Sequence, residues 1–238
     1  MTERLYEQDS YLRETETRVV SVSDQGVELD RTVFYARGGG QPGDSGSLIL
    51  ASGVNIPIVD TVKGEGRAIL HLVDPAAGGV LPEPGDPVTA RIDWERRHRH
   101  MRMHTCMHLL CALVDAPVTG GNLTDQKGRL DFDLPESTVD RETLTEALND
   151  LIAAGTDTAL EWITDEALAA QPELVKTMSV QPPAGAGSVR LLRIGDVDLQ
   201  PCGGTHVANT REIGPVRVSK IEKKSRLNRR INVVFDEG

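Results

Sequence analysis

His104 and His108 stand four residues apart in His104-Thr105-Cys106-Met107-His108, and Cys202 and His206 stand four apart in Cys202-Gly203-Gly204-Thr205-His206. On a helix, residues four apart lie one turn above each other on one face, so two imidazoles at that spacing can reach one ion. The second run follows Pro201 and holds two glycines, which reads as a tight turn able to bring a thiolate and an imidazole together. Three imidazoles and one thiolate form a donor set for which zinc is the natural occupant. Each pair alone has a plainer reading. A His pair at this spacing is often a surface coincidence, and a single Cys often packs as a small apolar side chain. On spacing alone both readings stand.

The metalloprotease motif H-E-x-x-H places a Glu after its first His as general base. Thr105 stands there instead, so protease chemistry is disfavoured, and a water would have to be prepared by the metal or by another group. Cys106 and Cys111 read as packing residues of the same helix. Asp131 and Asp133 are candidates for orienting a ligand His from behind.

The basic residues are unevenly spread. The chain of 238 residues carries a net charge of −10, too acidic for a general nucleic-acid coat. Yet Arg91 to Arg102 holds Arg91, Arg96, Arg97, Arg99 and Arg102, beside the first metal pair. Arg217 to Arg230 adds Lys220, Lys223, Lys224, Arg226 and Arg229, with Glu222 the single acid among them, after the second pair. Their places beside both motifs favour contact with a phosphate backbone over a merely solvated face. His98 and His100, inside the first cluster, read as solvated or RNA-facing. Aromatic residues are only 3%, so shape and phosphate contacts are favoured over base stacking.

The elements that must position these groups fall into two halves. Short β-branched segments run from Arg18 to Ser23, Gly26 to Phe34, Leu48 to Leu50, Ile56 to Val62, Ala68 to Val73 and Val88 to Ile92. The glycine-rich run Arg37 to Ser47 is a loop. It lacks the Gly-Lys-[Ser/Thr] of a phosphate-binding motif, so an ATP site there is disfavoured, and packing against the second domain is the plain reading. The character changes after Ile92, giving an N-terminal β-rich domain over 1–92 and a second domain over 93–238. Asp93 is a suitable N-cap for a helix to about Val114. Ser137-Thr138-Val139-Asp140 has a helix-start pattern, and Leu144, Leu148, Leu151 and Ile152 form one apolar stripe ended by Gly155. Ala159 to Thr164, Ser188 to Ile194, Pro215 to Ile221 and Arg230 to Phe235 read as strands. Asp165 to Gln171 reads as a short helix stopped by Pro172. An α+β domain with an antiparallel sheet fits this order.

No stretch nears the roughly 18 apolar residues of a membrane span, the start has no apolar signal segment, and three cysteines make no disulfide framework. A cytoplasmic location without membrane contact is the expectation.

Five motifs in order give the chain a resemblance to the AlaX-type free-standing alanyl-tRNA editing proteins, which are similar to the editing domain of alanyl-tRNA synthetase. They are Asp30 to Tyr35 with Gly38 to Asp44, Asp93 to Arg97 with Met101-Arg102 and His104 to Leu110, Asp125 to Gly128, Cys202 to His206, and Lys220 to Lys224 with Asn228 to Ile231. Ala36 stands where the family usually has Pro, and Ser225 and Leu227 stand where it has Gly. The resemblance implies a β-barrel-like N-terminal domain followed by an α+β editing domain. It implies a zinc-dependent hydrolase that deacylates tRNA(Ala) mischarged with serine, and with glycine, by cutting the aminoacyl ester. His104, His108, Cys202 and His206 would bind zinc. Gln126 would lie near the scissile ester as a catalytic and substrate-binding amide, and Thr32 would bind the serine hydroxyl. Arg96, Arg97, Lys223, Lys224, Arg229 and Arg230 would meet the tRNA acceptor end. No obligate protein partner is implied. Four protein ligands normally close a structural zinc site, whereas catalytic zinc keeps a position open. A loose ligand, an expanded coordination, or an ion that only orients substrate would each reconcile the two, and a zinc-stabilised tRNA-binding module without hydrolase activity is the alternative.

Overall fold

The computed structural model describes every residue except 77–79, 115, 135–139, 179–186 and 238. The chain divides into two units, Met1–His98 and Arg99–Gly238. The division falls inside helix α1 (Trp94–Leu113), beyond the composition break at Ile92, because the first turn of that helix is anchored in the first unit. There the Arg97 guanidinium is wholly buried. Its Nε donates to both Asp44 carboxylate oxygens at 2.9 and 3.0 Å, Nη1 to Ser10 O at 3.0 Å and Nη2 to Val33 O at 2.7 Å.

The first unit is a closed antiparallel barrel. Besides a short parallel pair, β1 (Glu3–Arg4) with β4 (Arg31–Thr32), its strands are β2 (Glu14–Ser23), β3 (Gly26–Leu29), β5 (Gly46–Leu50), β6 (Asn55–Lys63), β7 (Ile69–Val73) and β8 (Pro87–Ile92). Their order is β2-β3-β7-β6-β5-β8, and β8 returns to β2 with Arg91 opposite Glu14, so no edge is left open. Inward positions alternate along each strand. Val88, Ala90 and Ile92 of β8 meet Val27, Leu29, Phe34, Leu48 and Ile56 in one core, each large side chain contributing about 1.5–3 kcal/mol by leaving water. The single strand expected from Gly26 to Phe34 breaks at Asp30, whose carboxylate accepts from Thr17 Oγ1 at 2.6 Å and from the Arg18 amide at 3.0 Å. The glycine-rich loop folds onto the barrel's own strand β6. A Cβ on Gly43 would sit 2.1 Å from Thr61 O, so only glycine fits that approach.

Thr32 and His71 form a buried polar pair in this unit. His71 Nδ1 lies 2.9 Å from the Val27 carbonyl, which can only accept, so Nδ1 carries the proton and Nε2 accepts from Thr32 Oγ1 at 2.8 Å. Burial pushes the His71 pKa down to about 4, against the smaller upward pull of the Val27 carbonyl and of Asp44. The unfolded chain takes up this proton near pH 6.5 while the folded ring stays neutral. Acidification therefore favours unfolding. We expect about 3 kcal/mol of stability to be lost between pH 6.5 and 4 on this account, visible in denaturant midpoints and largely absent from His71→Gln.

The second unit is α+β. A four-stranded antiparallel sheet runs β14 (Val216–Lys223), β15 (Asn228–Phe235), β10 (Lys127–Asp133), β9 (Val118–Leu123), and a three-stranded one runs β11 (Thr158–Thr164), β12 (Ser188–Ile194), β13 (Asp198–Pro201). Helix α2 (Arg141–Ala154) is capped by Asp140, which accepts from the Thr143 amide at 2.9 Å, and ends at Gly155 with φ of 70°. Ser137 to Val139 of the expected start lie outside the described residues. Leu144, Leu148 and Ile152 are buried, and the Asn149 amide clasps Val216 of β14 at 2.8 and 3.0 Å, covering that edge. The short helix α3 (Asp165–Ala169) follows β11 as expected. Three strands of this unit were not legible in the sequence. β9 carries Gly120 and Gly121 in its middle, β10 opens on Lys127-Gly128, and β13 is four residues ending in Pro201. Among the described residues no helix is long and apolar enough to cross a membrane.

Candidate metal centre

Helix α1 presents His104 and His108 on one face, with ring centroids 5.5 Å apart. The turn after β13 brings Cys202 and His206 to them. The four donor atoms lie within 4.8 Å of one another, with Cys202 Sγ 3.1 Å from His206 Nε2 and 3.7 Å from His104 Nε2. Separations of this size fit donors converging on one small ion.

The surroundings fix which ring nitrogens face inward. His108 Nδ1 lies 2.9 Å from Asp198 Oδ2, a carboxylate with no exposed side-chain surface, so Nδ1–H donates and Nε2 is left for an ion. Thr105 Oγ1 donates to Met101 O at 2.9 Å, so its oxygen accepts from His206 Nδ1 at 3.2 Å and from the Val207 amide at 3.3 Å. His206 therefore also presents Nε2. The residue that displaces the protease base is thus a support for the His206 ring. Arg190 of β12 braces the loop, donating through Nε to Cys202 O at 2.9 Å and through Nη2 to Gly204 O, while its own carbonyl accepts from the Cys202 amide at 3.0 Å.

The charges suit a metal. Burial alone would push the Cys202 thiol up, but His104, His206 and His108 around it pull it well below its ordinary value, toward the thiolate form that a metal takes. Burial opposes the proton on His108, and the Cys202 thiolate and Asp198 outweigh it, raising that ring to about 10. Burial dominates at His206, lowering it to about 3. With Nδ1 of His108 and His206 engaged from behind, three imidazoles, His108 having given up its Nε2 proton to the incoming ion's charge, and one thiolate fit a borderline divalent ion. Cys106 is buried with its thiol pushed up to about 12, as befits a packing residue.

The other expected site residues lie on elements of their own. Gln126 is exposed in the turn between β9 and β10, where Thr124 Oγ1 accepts from its amide at 3.2 Å. Arg99 of α1 holds this turn through Asp125 O at 2.7 Å and Gln126 Oε1 at 3.4 Å. Two residues on, a Cβ on Gly128 would meet Met107 and Met103 Sδ at 2.7 and 2.9 Å, so this glycine lets β10 lie against the helix that carries the histidines. Thr32 is fully buried, its proton committed to His71 and its oxygen accepting from the Phe34 amide at 3.1 Å.

The basic residues divide by burial. Lys223 and Lys224 are exposed, and Arg96 is half-buried with Nη1 on Gly43 O at 2.8 Å. Arg97 offers no surface to an RNA, because Asp44, Ser10 and Val33 occupy its whole fork. Arg229 is likewise buried and donates to Ser225 O and Asn228 O at 3.1 Å within its own turn. Arg230 grips Asp131 at 2.7 and 2.9 Å, which removes Asp131 as a support for a ligand His. That task falls to Asp198. His100 is buried rather than solvated, and His98 stacks on Trp94 with centroids 5.3 Å apart. Asp198, Arg190 and Lys176, which lies 3.0 Å from Asp198, were missed in the sequence. Asp198 had one readable signal, four residues before the metal-motif Cys.

Two family models match the chain: the threonyl and alanyl tRNA synthetase second additional domain over residues 189–232, and the class II (A) tRNA synthetases over residues 8–96. An alanyl-tRNA editing protein AlaX-M of Saccharolobus solfataricus is 35% identical over 97% of this chain and 98% of its own length. The AlaX-M protein of Methanosarcina barkeri is 38% identical with the same coverage of both chains. The alanine–tRNA ligase of Sulfurisphaera tokodaii is 36% identical over 93% of this chain but only 25% of its own length. Spanning the AlaX-M proteins nearly from end to end at this identity, the chain belongs to the AlaX family of alanyl-tRNA editing proteins.

Proposed function

We propose that this chain is a zinc-dependent trans-editing hydrolase that cleaves the aminoacyl ester of mischarged tRNA(Ala), chiefly Ser-tRNA(Ala) and also Gly-tRNA(Ala), in the cytoplasm. The observation that carries the reading is the four-donor cluster in a chain that matches AlaX-M proteins over nearly their whole length. Serine is alanine with one added hydroxyl, and glycine is smaller than alanine, so a pocket for alanine cannot strongly reject either. A second site that destroys the wrong ester supplies the missing discrimination.

Zinc, when bound to His104, His108, Cys202 and His206, supplies Lewis acidity beside an ester carbonyl. The chain's own groups do the rest. Asp198 and Thr105 hold His108 and His206 in the tautomers that face inward. The Gln126 amide, on a turn steadied by Arg99, is assigned to the ribose or a water near the scissile bond. Thr32 is assigned to the serine hydroxyl. Lys223 and Lys224, with the partly exposed Arg96 and Arg230, are assigned to the acceptor-stem phosphates.

A panel of Ser-, Gly- and Ala-tRNA(Ala), each incubated with zinc-loaded protein, tests the reading. Ser-tRNA(Ala) should be hydrolysed far faster than Ala-tRNA(Ala), and Thr32→Val should narrow that ratio by about tenfold or more. Hydrolysis no faster than without protein would remove the enzyme reading. It would favour a zinc-stabilised tRNA-binding module, the reading that four protein donors by themselves suit.

A further inference from the structure

The centre has a support that reaches the protein surface. Asp198 opens β13 opposite Ile194, and its carboxylate is fully buried. A buried carboxylate costs several kcal/mol unless its oxygens are matched by donors and its charge by a cation. Three side chains meet it. His108 takes Oδ2 at 2.9 Å, Gln200 Nε2 lies 2.8 and 3.0 Å from the two oxygens, and Lys176 Nζ takes Oδ1 at 3.0 Å. Gln200 is neutral, and His108 is neutral whenever its Nε2 holds a metal. Of the three, Lys176 alone keeps a full positive charge on the carboxylate in the metal-loaded protein.

Lys176 is also placed, not merely near. It follows the turn Pro172–Leu174, and its backbone is pinned to β9 from both sides, Val118 N donating to Lys176 O at 2.9 Å and Met178 N to Val118 O at 2.8 Å. Its side chain is 36% exposed, beside a surface cavity of about 240 Å³ that it shares with Arg193, Asp196 and Asp198. Lysine heads with access to water normally stay there. This one turns to a buried carboxylate. The neighbouring cation cannot take its place, because Arg193 is engaged by Glu161.

We propose that Lys176 is a positioning residue of the metal centre: its ammonium fixes the Asp198 carboxylate, and through it the ring of His108. The inference rests on the metal-centre reading above. Without the ammonium, Asp198 keeps only neutral partners and is free to turn toward water, and the His108 ring loses its fixed direction. Supports one step behind a ligand typically change metal affinity or activity by about 10–100-fold, and Lys176 stands one step further back.

Cobalt-substituted protein tests this, since the visible bands of the ion report the ligand field without any tRNA. Lys176→Met should shift those bands, and metal loss to a chelator should be about tenfold faster. On Ser-tRNA(Ala), kcat should fall about tenfold with KM within about twofold. Lys176→Arg, which keeps the charge, should recover most of each loss. In an Asp198→Asn background, Lys176→Met should add nothing. Unchanged bands and unchanged metal loss in Lys176→Met overturn the proposal while leaving the hydrolase reading intact. Additive effects in the Asp198→Asn background also overturn it, because Lys176 then acts on something other than Asp198. Failure of the unaltered protein to bind cobalt overturns this proposal and the metal-centre reading together.

Discussion

Cys202→Ser is expected to lose bound zinc and, with it, essentially all deacylation of Ser-tRNA(Ala). The sulfur is the one donor of the four that can bind as an anion, its thiol drawn well below its ordinary value by the surrounding imidazoles. A serine hydroxyl in its place stays protonated at neutral pH and brings neither the charge nor the soft donor. Changes behind a ligand cost about 10–100-fold, so removal of the charged ligand itself should cost at least about a hundredfold in metal affinity. Zinc content after gel filtration and single-turnover deacylation measure the two losses. Cys106→Ala is the matched comparison. Its thiol is buried two residues from His104, faces the packing, and should leave zinc content unchanged. A Cys202→Ser protein that kept one equivalent of zinc and normal turnover would show that the cluster is not the centre of this chemistry.

The contrast between these cysteines shows what a sequence discloses. His104 with His108, and Cys202 with His206, are pairs of local spacing, and each pair is visible without a fold. Their convergence is not local, and neither are their supports. Asp198 meets His108 from β13, and Gln200 of the same strand and Lys176, from a segment pinned to β9, meet Asp198; neither β13 nor β9 reads as a strand in the sequence. β9 hides because Gly120 and Gly121 have no side chains to show alternation, and its stability comes from pairing with β10 rather than from propensity. Strands with a buried face, such as β8 and β15, were legible because every second residue is apolar.

Arg97 of α1 departs from the phosphate-contact reading for a different reason. A dense run of Arg beside a metal motif suggests contact with phosphates, but charge density says nothing of direction. Helical period does. Arg97, Met101, His104 and His108 follow at spacings of four, three and four, which places Arg97 on the stripe that carries the ligands, and all four are buried. Arg96 and Arg99, a quarter-turn or more away, are partly exposed. The period was available in the sequence and was overridden by the charge.

Arg97→Met is therefore expected to act on stability and not on RNA affinity. Removing one partner of a buried ion pair leaves the other charge uncompensated, at a cost of about 3–5 kcal/mol. Here Asp44 would be stranded with almost no exposed surface, though it would keep its bond from the Tyr35 amide at 2.6 Å. Arg97→Lys should cost nearly as much, because one ammonium cannot reach Asp44, Ser10 O and Val33 O together. Arg97→Met with Asp44→Leu should recover part of the loss, since a neutral pair strands no charge. The effect can be read in the first unit separately. Trp94, stacked on His98 and under Arg13, lies in that unit, while exposed Trp162 lies in the other, so a Trp162→Phe background leaves a single tryptophan, excited selectively, to report the barrel's unfolding. The denaturant midpoint of that signal should fall sharply in Arg97→Met, with the salt slope of tRNA binding in the folded protein unchanged. Lys223→Ala with Lys224→Ala should do the reverse, lowering the salt slope by about 2 with the midpoint held. A normal midpoint with weakened tRNA binding in Arg97→Met would return this arginine to the surface and overturn the reading of its helix face.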